Sequence, residues 1–409
     1  MNCCTYKLSG PNYTKQNLYI CHTCKDQGKF EENEGVCEYC TRECHPYHDL
    51  ELIEDIDSFC DCGAQYCCID LDVMINSTLI NNFAIKLFQT DEFKVFSPLS
   101  IIYALSLLHL GSEGQTHEEL TQLFEGSLDQ KQLNTIQNIL HSVMSNWIIL
   151  NKNKCINQEY ENLITNLTSC IQLNFSIPQI TQDINDLIST STKGMLDNVV
   201  DNITPDMVFI LLNIIHFKAF WTLKFSIENT VDDVFHGPKG DINVKMMQQE
   251  NSFEYYEDDV VQILELPYEC DNYSMIIFLP RENNGQYIFD LSYLEQMYSS
   301  RVNVHIPRFT IHQKCSLKDT LEKLGVNSLF DPNNTGLNKI SDGLYISKAI
   351  HETKIIVDEE GTEAVAVTLI CTSRGFCRVP VFTADHPFIF CIRHNSTGII
   401  MFMGLYDGE

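Results

Sequence analysis

Basic side chains are scarce: 27 Lys and Arg stand against 55 Asp and Glu, a formal charge of −28. That balance argues against general binding to nucleic acid or to anionic membranes, whose phosphates need cationic partners. It suits cationic partners, or simple solubility. No apolar run is long enough to cross a bilayer without charges. The opening residues, MNCCTYKLSG, hold no apolar core of leader length, so export by the usual route is not expected. Asn-x-Ser/Thr sequons, such as those at Asn76, Asn166 and Asn395, then have no reader. Otherwise the chain is ordinary, with 44% apolar residues and a length of 409, room for two domains or one large one.

Cysteine is scarce over most of the chain and crowded at one end. Of 18 cysteines, eleven lie in the first 68 residues. Crowding of this kind means disulfides or metal, and a reducing compartment favours metal. Cys21 and Cys24 flank two residues, as do Cys37 and Cys40; Cys44, His45 and His48 follow, then Cys60 and Cys62. Structural zinc takes four soft ligands in a tetrahedron, and close pairs supply two at a time. More ligands than one ion needs implies at least two ions. So short a segment cannot build a sufficient apolar core, and metal would supply its folding free energy.

The motif CHTC…GVCEYCTRECHPYHDLELI…FCDCG resembles a UBR box, the zinc domain with which ubiquitin ligases read protein N-termini. The resemblance implies two or three zinc ions held by Cys21, Cys24, Cys37, Cys40, His45, His48, Cys60 and Cys62. An early cysteine, Cys4 or its neighbour Cys3, and a late one, Cys67 or its neighbour Cys68, would complete the set, with Cys44 extra. It also implies an acidic grip on a basic N-terminal residue. Asp61 matches one of the acidic positions and Asp49 could add charge, but Ala64 stands where the family often has a second acid. No ligase motif follows, so the chain is not expected to be a ubiquitin ligase by itself; residues 1–70 are expected to form a zinc module that binds a peptide N-terminus or a ubiquitin-pathway protein, or one that has lost or changed its ligand.

From residue 71 to 409 the pattern changes. Helical apolar spacing covers Ile75 to Phe88 and Ile101 to Leu110, with Ser97 and Pro98 suited to a helix start. Thr116, three residues before Glu119, reads as a capping box. Strand-like runs lie at Val208 to Phe217, Val261 to Leu266, Ser274 to Leu279 and Val302 to Ile306, indicating an α+β domain with a large sheet. Late in the chain, VDEEGTEAVAVT begins as an acidic turn, Asp358 to Gly361, and continues as an alternating run. At period two, Thr362, Ala364, Ala366 and Thr368 share one small, uncharged face, and Glu363, Val365 and Val367 share the other. No Pro interrupts it, so every residue can pair in a ladder. It reads either as an ordinary edge strand or as a segment able to slide between two strands.

EEGTEAVAVT and ADHPFIFCIRH, with VFSPLSIIYALSLLHLGSEGQTHEEL and FILLNIIHFKAFW upstream, resemble the serpins, most of all those of large DNA viruses. The resemblance implies a large central β-sheet, two further sheets, eight or nine helices and an exposed reactive loop. Ser97, Ser100, Asn213 and His351 would form a polar latch, the shutter, between strands that must part. Trp221 would stand at the breach, where the loop first inserts, and Glu359 would pair there with Arg308.

The function implied is that of a suicide substrate. A trypsin-like serine protease attacks the loop at Arg374–Gly375, and the segment from Gly361 to Thr368 inserts into the sheet before the acyl-enzyme hydrolyses. Phe376 would suit a chymotrypsin-like pocket, and Gly375, Cys371 and Arg378 are further candidates for the cut. Such a protein is an inhibitor, not an enzyme, and is expected to be monomeric and cytoplasmic or virion-associated. A non-inhibitory scaffold, or an adaptor using the zinc module, is the alternative.

Overall fold

The computed structural model describes residues 14–21, 36–37, 50–58, 76–90, 93–140, 144–192, 194, 196, 198–217, 219–269, 272–333, 336–359 and 379–408. The chain divides into two compact units, Met1–Ile75 and Asn76–Glu409. In the first, β1 (Thr14–Cys21), β2 (Val36–Cys37) and β3 (Leu50–Ser58) form an antiparallel sheet in the order β2-β1-β3. Cys37 lies opposite Leu18, and Cys21 opposite Leu50. The other expected ligands, Cys4, Cys24, Cys40, His45, His48, Cys60, Cys62 and Cys67, lie outside the described residues, as do Asp49 and Asp61.

The second unit begins with α1 (Ser77–Phe88), β4 (Val95–Phe96), α2 (Pro98–Leu110), α3 (Gly114–Phe124) and α4 (Gln130–Leu140). Next come β5 (Met144–Asn151), α5 (Gln158–Ile164), β6 (Ser169–Leu173), α6 (Ile180–Ser191) and β7 (Phe209–Phe217). A run of strands follows: β8 (Val231–Gly237), β9 (Gly240–Glu257), β10 (Val261–Pro267), β11 (Tyr273–Pro280), β12 (Tyr298–Pro307) and β13 (Phe309–Ser316). The remainder is α7 (Leu317–Lys323), β14 (Lys348–Val357), β15 (Val381–Thr383), β16 (Phe388–His394) and β17 (Ile399–Tyr406). Seven α-helices and three short 3-10 helices are formed among the described residues, and none is long and apolar enough to span a membrane.

Two sheets organise this unit. One is five-stranded, in the order β13-β14-β7-β5-β6; the other follows the path β15-β12-β9-β10-β11-β16-β17-β4, with β8 also on β9. The 18 residues of β9 are long enough to serve β8, β12 and β10 in turn, which joins what would otherwise be separate sheets into one ladder.

Both faces of the five-stranded sheet are covered. On one, Ile180, Ile184 and Ile188 recur at helical spacing along α6 and pack on Trp147, Ile149, Leu212, Ile214 and Ile350. Each fully buried aliphatic side chain contributes about 1.5–3 kcal/mol. The stripe spans β5, β7 and β14, so this helix lies over the junction of the last two. On the other face is α2, buried at twelve of its thirteen residues and apolar all round, as a helix inside a large core must be.

Its start is locally encoded. Ser97 is the N-cap, its hydroxyl accepting from Ser100 N–H, and Pro98 opens the first turn. The expected capping box at Thr116 is overturned. The helix begins earlier, at Gly114, and its N-cap Glu113 makes no side-chain cap bond. Thr116 is buried within the helix with its hydroxyl on Ser328, and Glu119 accepts from the N–H groups of Asn327 and Ser328. A contact from 200 residues away took both side chains from the local motif.

At Gly404, on β17, a Cβ would sit 2.8 Å from the Lys94 carbonyl oxygen and 2.7 Å from the Phe390 ring. Gly404→Ala is therefore expected to cost about 1–3 kcal/mol by overpacking, read as a lower denaturation midpoint; an unchanged midpoint would show that this contact yields freely.

Candidate functional site

Two joins of the five-stranded sheet are parallel, β5 with β6 at its edge and β14 with β7 inside it. β14 and β7 run parallel and are directly paired from Lys348–Ile210 through Ile355–Phe217, whereas β13 on β14 and β5 on β7 are antiparallel. Midway along the join His351 stands opposite Asn213, and Asn213 stands opposite Asn146 of β5. Three polar residues thus cross three adjacent strands in one row.

Ser97, Ser100, Asn213, His351 and Thr353 are all fully buried, so each polar atom needs a partner. The partners fix the proton positions. Ser97 N–H donates to His351 Nε2 (3.2 Å), so that nitrogen carries no proton and also accepts from the Thr353 hydroxyl (2.6 Å). Nδ1–H must then donate to Asn213 Oδ1 (2.5 Å). The same oxygen faces the Ser100 hydroxyl at 2.8 Å. The Asn213 amide donates to the Ser100 carbonyl (3.0 Å) and to Asn146 Oδ1 (2.5 Å). Ser97 Oγ donates to the Met401 carbonyl (2.6 Å). The network is satisfied by a neutral imidazole and would be broken by a charged one. Burial pushes the His351 pKa down to about 3.

Ser97, Ser100, Asn213 and His351 thus come together. Asn146 and Thr353 complete the network and were missed in the sequence; the only available signal was polarity within otherwise apolar strands. Glu352, next in the chain, points to the other face. It is buried, holds His312 Nε2 at 2.7 Å through one oxygen, and leaves its other oxygen without a hydrogen-bond partner. Burial raises its carboxyl pKa.

Beyond the end of β14 a second group closes the join. Trp221 is buried, stacked on Tyr268 at 4.3 Å, and its indole N–H donates to the Asp358 carbonyl (2.9 Å). Glu359 is 6% exposed and accepts from the Thr230 hydroxyl (2.8 Å), with Arg308 at 3.6 Å from its second oxygen. The Arg308 side chain is half exposed, so the pair contributes at most about 1 kcal/mol, and it is Glu359 that is held in place. Gly361, Thr362, Glu363, Ala364, Val365, Ala366, Val367 and Thr368, and Arg374 and Gly375, lie outside the described residues.

The buried imidazole links stability to pH. An unfolded His binds its proton near 6.5, whereas folded His351 does so only near 3. Between those values the unfolded state binds the proton more tightly. The contribution is therefore complete above pH 6.5 and is lost as pH falls toward 3, by roughly 5 kcal/mol in full. His351→Gln is expected to give a shallower loss of stability than the parent between pH 6.5 and about 4. Parallel profiles in denaturant titrations would show that another group sets the acid limit.

Comparison with known proteins shows the family. The pattern of the Serpin (serine protease inhibitor) family matches residues 78–407. An uncharacterized serpin-like protein of Acanthamoeba polyphaga mimivirus is 34% identical over 355 residues, covering 80% of this chain and 88% of its own. The leukocyte elastase inhibitor of Xenopus laevis is 31% identical, covering 87% of this chain and 100% of that protein. Among solved structures, native protease nexin-1 with heparin superposes with a TM-score of 0.73 at 26% identity, covering 81% of this chain and 98% of that one. Uncleaved ovalbumin superposes with a TM-score of 0.75 at 23% identity over 81% of this chain and 99% of that one, a likeness of fold. With a five-stranded sheet latched at a parallel join and a family match across nearly all of the second unit, the chain belongs to the serpin family.

Proposed function

We propose that this protein is a suicide-substrate inhibitor of trypsin-like serine proteases, cut at Arg374–Gly375. One observation carries the reading: β14 and β7 are parallel neighbours, and the chain leaving β14 passes through the small-faced stretch from Gly361 to Thr368. A segment folding back from the end of β14 runs antiparallel to both strands. Inserted between them, it replaces one parallel ladder with two antiparallel ones, which are slightly more stable per residue. Roughly ten added hydrogen bonds at about 1 kcal/mol net each are enough to drive the step.

In this reading the protease serine attacks the Arg374 carbonyl. The bond to Gly375 breaks, the new amine leaves, and Arg374 remains esterified to the enzyme. Insertion then outruns hydrolysis and carries the enzyme away from the Trp221–Glu359 end of the join. The match to a mimivirus protein supports a viral setting, and the leukocyte elastase inhibitor among the relatives supports inhibition in general without naming the target.

Gel-stable complexes with trypsin-like proteases are the expected result, the released peptide beginning at Gly375 by mass spectrometry. Arg374→Ala should abolish them, since an unmet pocket charge costs roughly 3–5 kcal/mol, about two to four decades in acylation rate. A peptide beginning at Cys377 would move the cut to Phe376 and overturn the specificity. Thr362→Arg places a charge on the inserting face and should convert inhibitor to substrate; undiminished complex in that variant would sink the insertion argument.

The first unit is read as a zinc module holding two or three ions. Its sheet pairs Cys21, one of the expected ligands, with Leu50. Zinc bound there would supply folding free energy, and peptide N-termini or a ubiquitin-pathway protein are the partners considered. Metal analysis of the purified chain should find two or three zinc ions; less than about one per chain would overturn the reading.

A further inference from the structure

We propose that a cavity at the end of the β14–β7 join opposite Glu359 binds a small aryl phosphate monoester. The cavity has a volume of about 300 Å³, at the lower limit of small-ligand sites. Lys314 of β13, Lys318 of α7 and Lys348 of β14 line it, with Asp201 from the segment before β7 as the lining carboxylate. Three cations against one anion leave a surplus of two positive charges, in a chain whose total is −28. Glu322 comes within 3.7 Å of the Lys318 ammonium but does not line the cavity.

Asp201 does not exhaust these lysines. Its Oδ1 lies 3.0 Å from Lys348 Nζ and its Oδ2 lies 3.6 Å from Lys314 Nζ, and Lys348 also donates to the Asp201 carbonyl. Each ammonium has three donors. A phosphate monoester carries about −1.5 to −2 charge at neutral pH and three strong acceptor oxygens, which meets the surplus. Ser316, Ser347 and Cys315 also line the cavity, and Phe330, Ala349 and Ile350 give it an apolar wall. The Lys318 ammonium stands 5.8 Å from the centroid of the Phe330 ring, so cation and aromatic face meet at one place. A planar body resting on Phe330 would carry its phosphate toward the lysines, whereas an inorganic ion would leave that wall uncovered.

The groups that would hold the ligand come from both sides of the join: Asp201 precedes β7, and Lys348 and Lys314 lie on β14 and β13. A bound ligand would resist their separation and slow strand insertion. That consequence rests on the insertion reading; the binding does not.

Calorimetric titration of the intact full chain with phenyl phosphate, at fixed ionic strength and without protease, tests the site. Saturable one-to-one binding is expected, with phenol silent and inorganic phosphate weaker. Lys314→Met should bind about tenfold more weakly through loss of one charge-assisted contact. Lys318→Met, at a half-exposed position outside the Asp201 contacts, should do the same with an unchanged melting temperature. No saturable heat in the parent, or parental affinity in Lys318→Met, would overturn the site, and equal affinity for inorganic phosphate would overturn its aryl character.

Discussion

The hydrogen bond from His351 to Asn213 joins two strands that run the same way, and the rest of the second unit is arranged around that join. Parallel neighbours cannot be linked by a tight turn. Between the end of β7 at Phe217 and the start of β14 at Lys348 the chain builds most of the nine-stranded sheet. The two halves of the five-stranded sheet are therefore held at this line by ladder bonds and side chains, with no short covalent link across it. On the proposed mechanism, this line is where the sheet would part.

What holds the parting closed is polar where an apolar core would serve stability as well. A buried network of neutral side chains, each with its partners met, is directional. It closes in one register, and on the proposed mechanism it would be re-paired after the strands part. Above the join α6 rests on Ile350 of β14 as well as Leu212 and Ile214 of β7, while Ser97 and Ser100, at the start of α2, reach the polar row from beneath. Glu352, beside it, has one oxygen buried without a hydrogen-bond partner.

Much of this was legible beforehand because it is local. Ser97 followed by Pro98 announces a helix start by cap chemistry alone, and the apolar run read from Val208 to Phe217 becomes β7 at Phe209–Phe217. Family resemblance brought together Ser97, Ser100, Asn213 and His351, which no spacing rule could connect. Asn146 and Thr353 escaped because a polar residue in an apolar strand does not reveal its neighbours; that is settled by register, and Asn146 meets His351's partner only through the β5–β7 pairing. Thr116 and Glu119 misled for the opposite reason, a sound local motif outbid by distant contacts with Asn327 and Ser328. The stretch from Gly361 to Thr368, the Arg374–Gly375 bond and most of the expected zinc ligands lie outside the described residues, so there the sequence remains the only guide.

The placement of Trp221 has an optical consequence. The chain contains two tryptophans; Trp147 is packed beneath α6 in the apolar cluster, while Trp221 lies against Tyr268 with its N–H on the Asp358 carbonyl. Asp358 is the residue just after β14, where the strand gives way to the segment that would fold back into the sheet. An indole hydrogen-bonded to that backbone senses any change in its path, because its emission depends on stacking and polarity. The protein therefore carries its own fluorophore at the top of the join, with the second tryptophan remote from that bond, and the state of the sheet can be followed in unlabelled material.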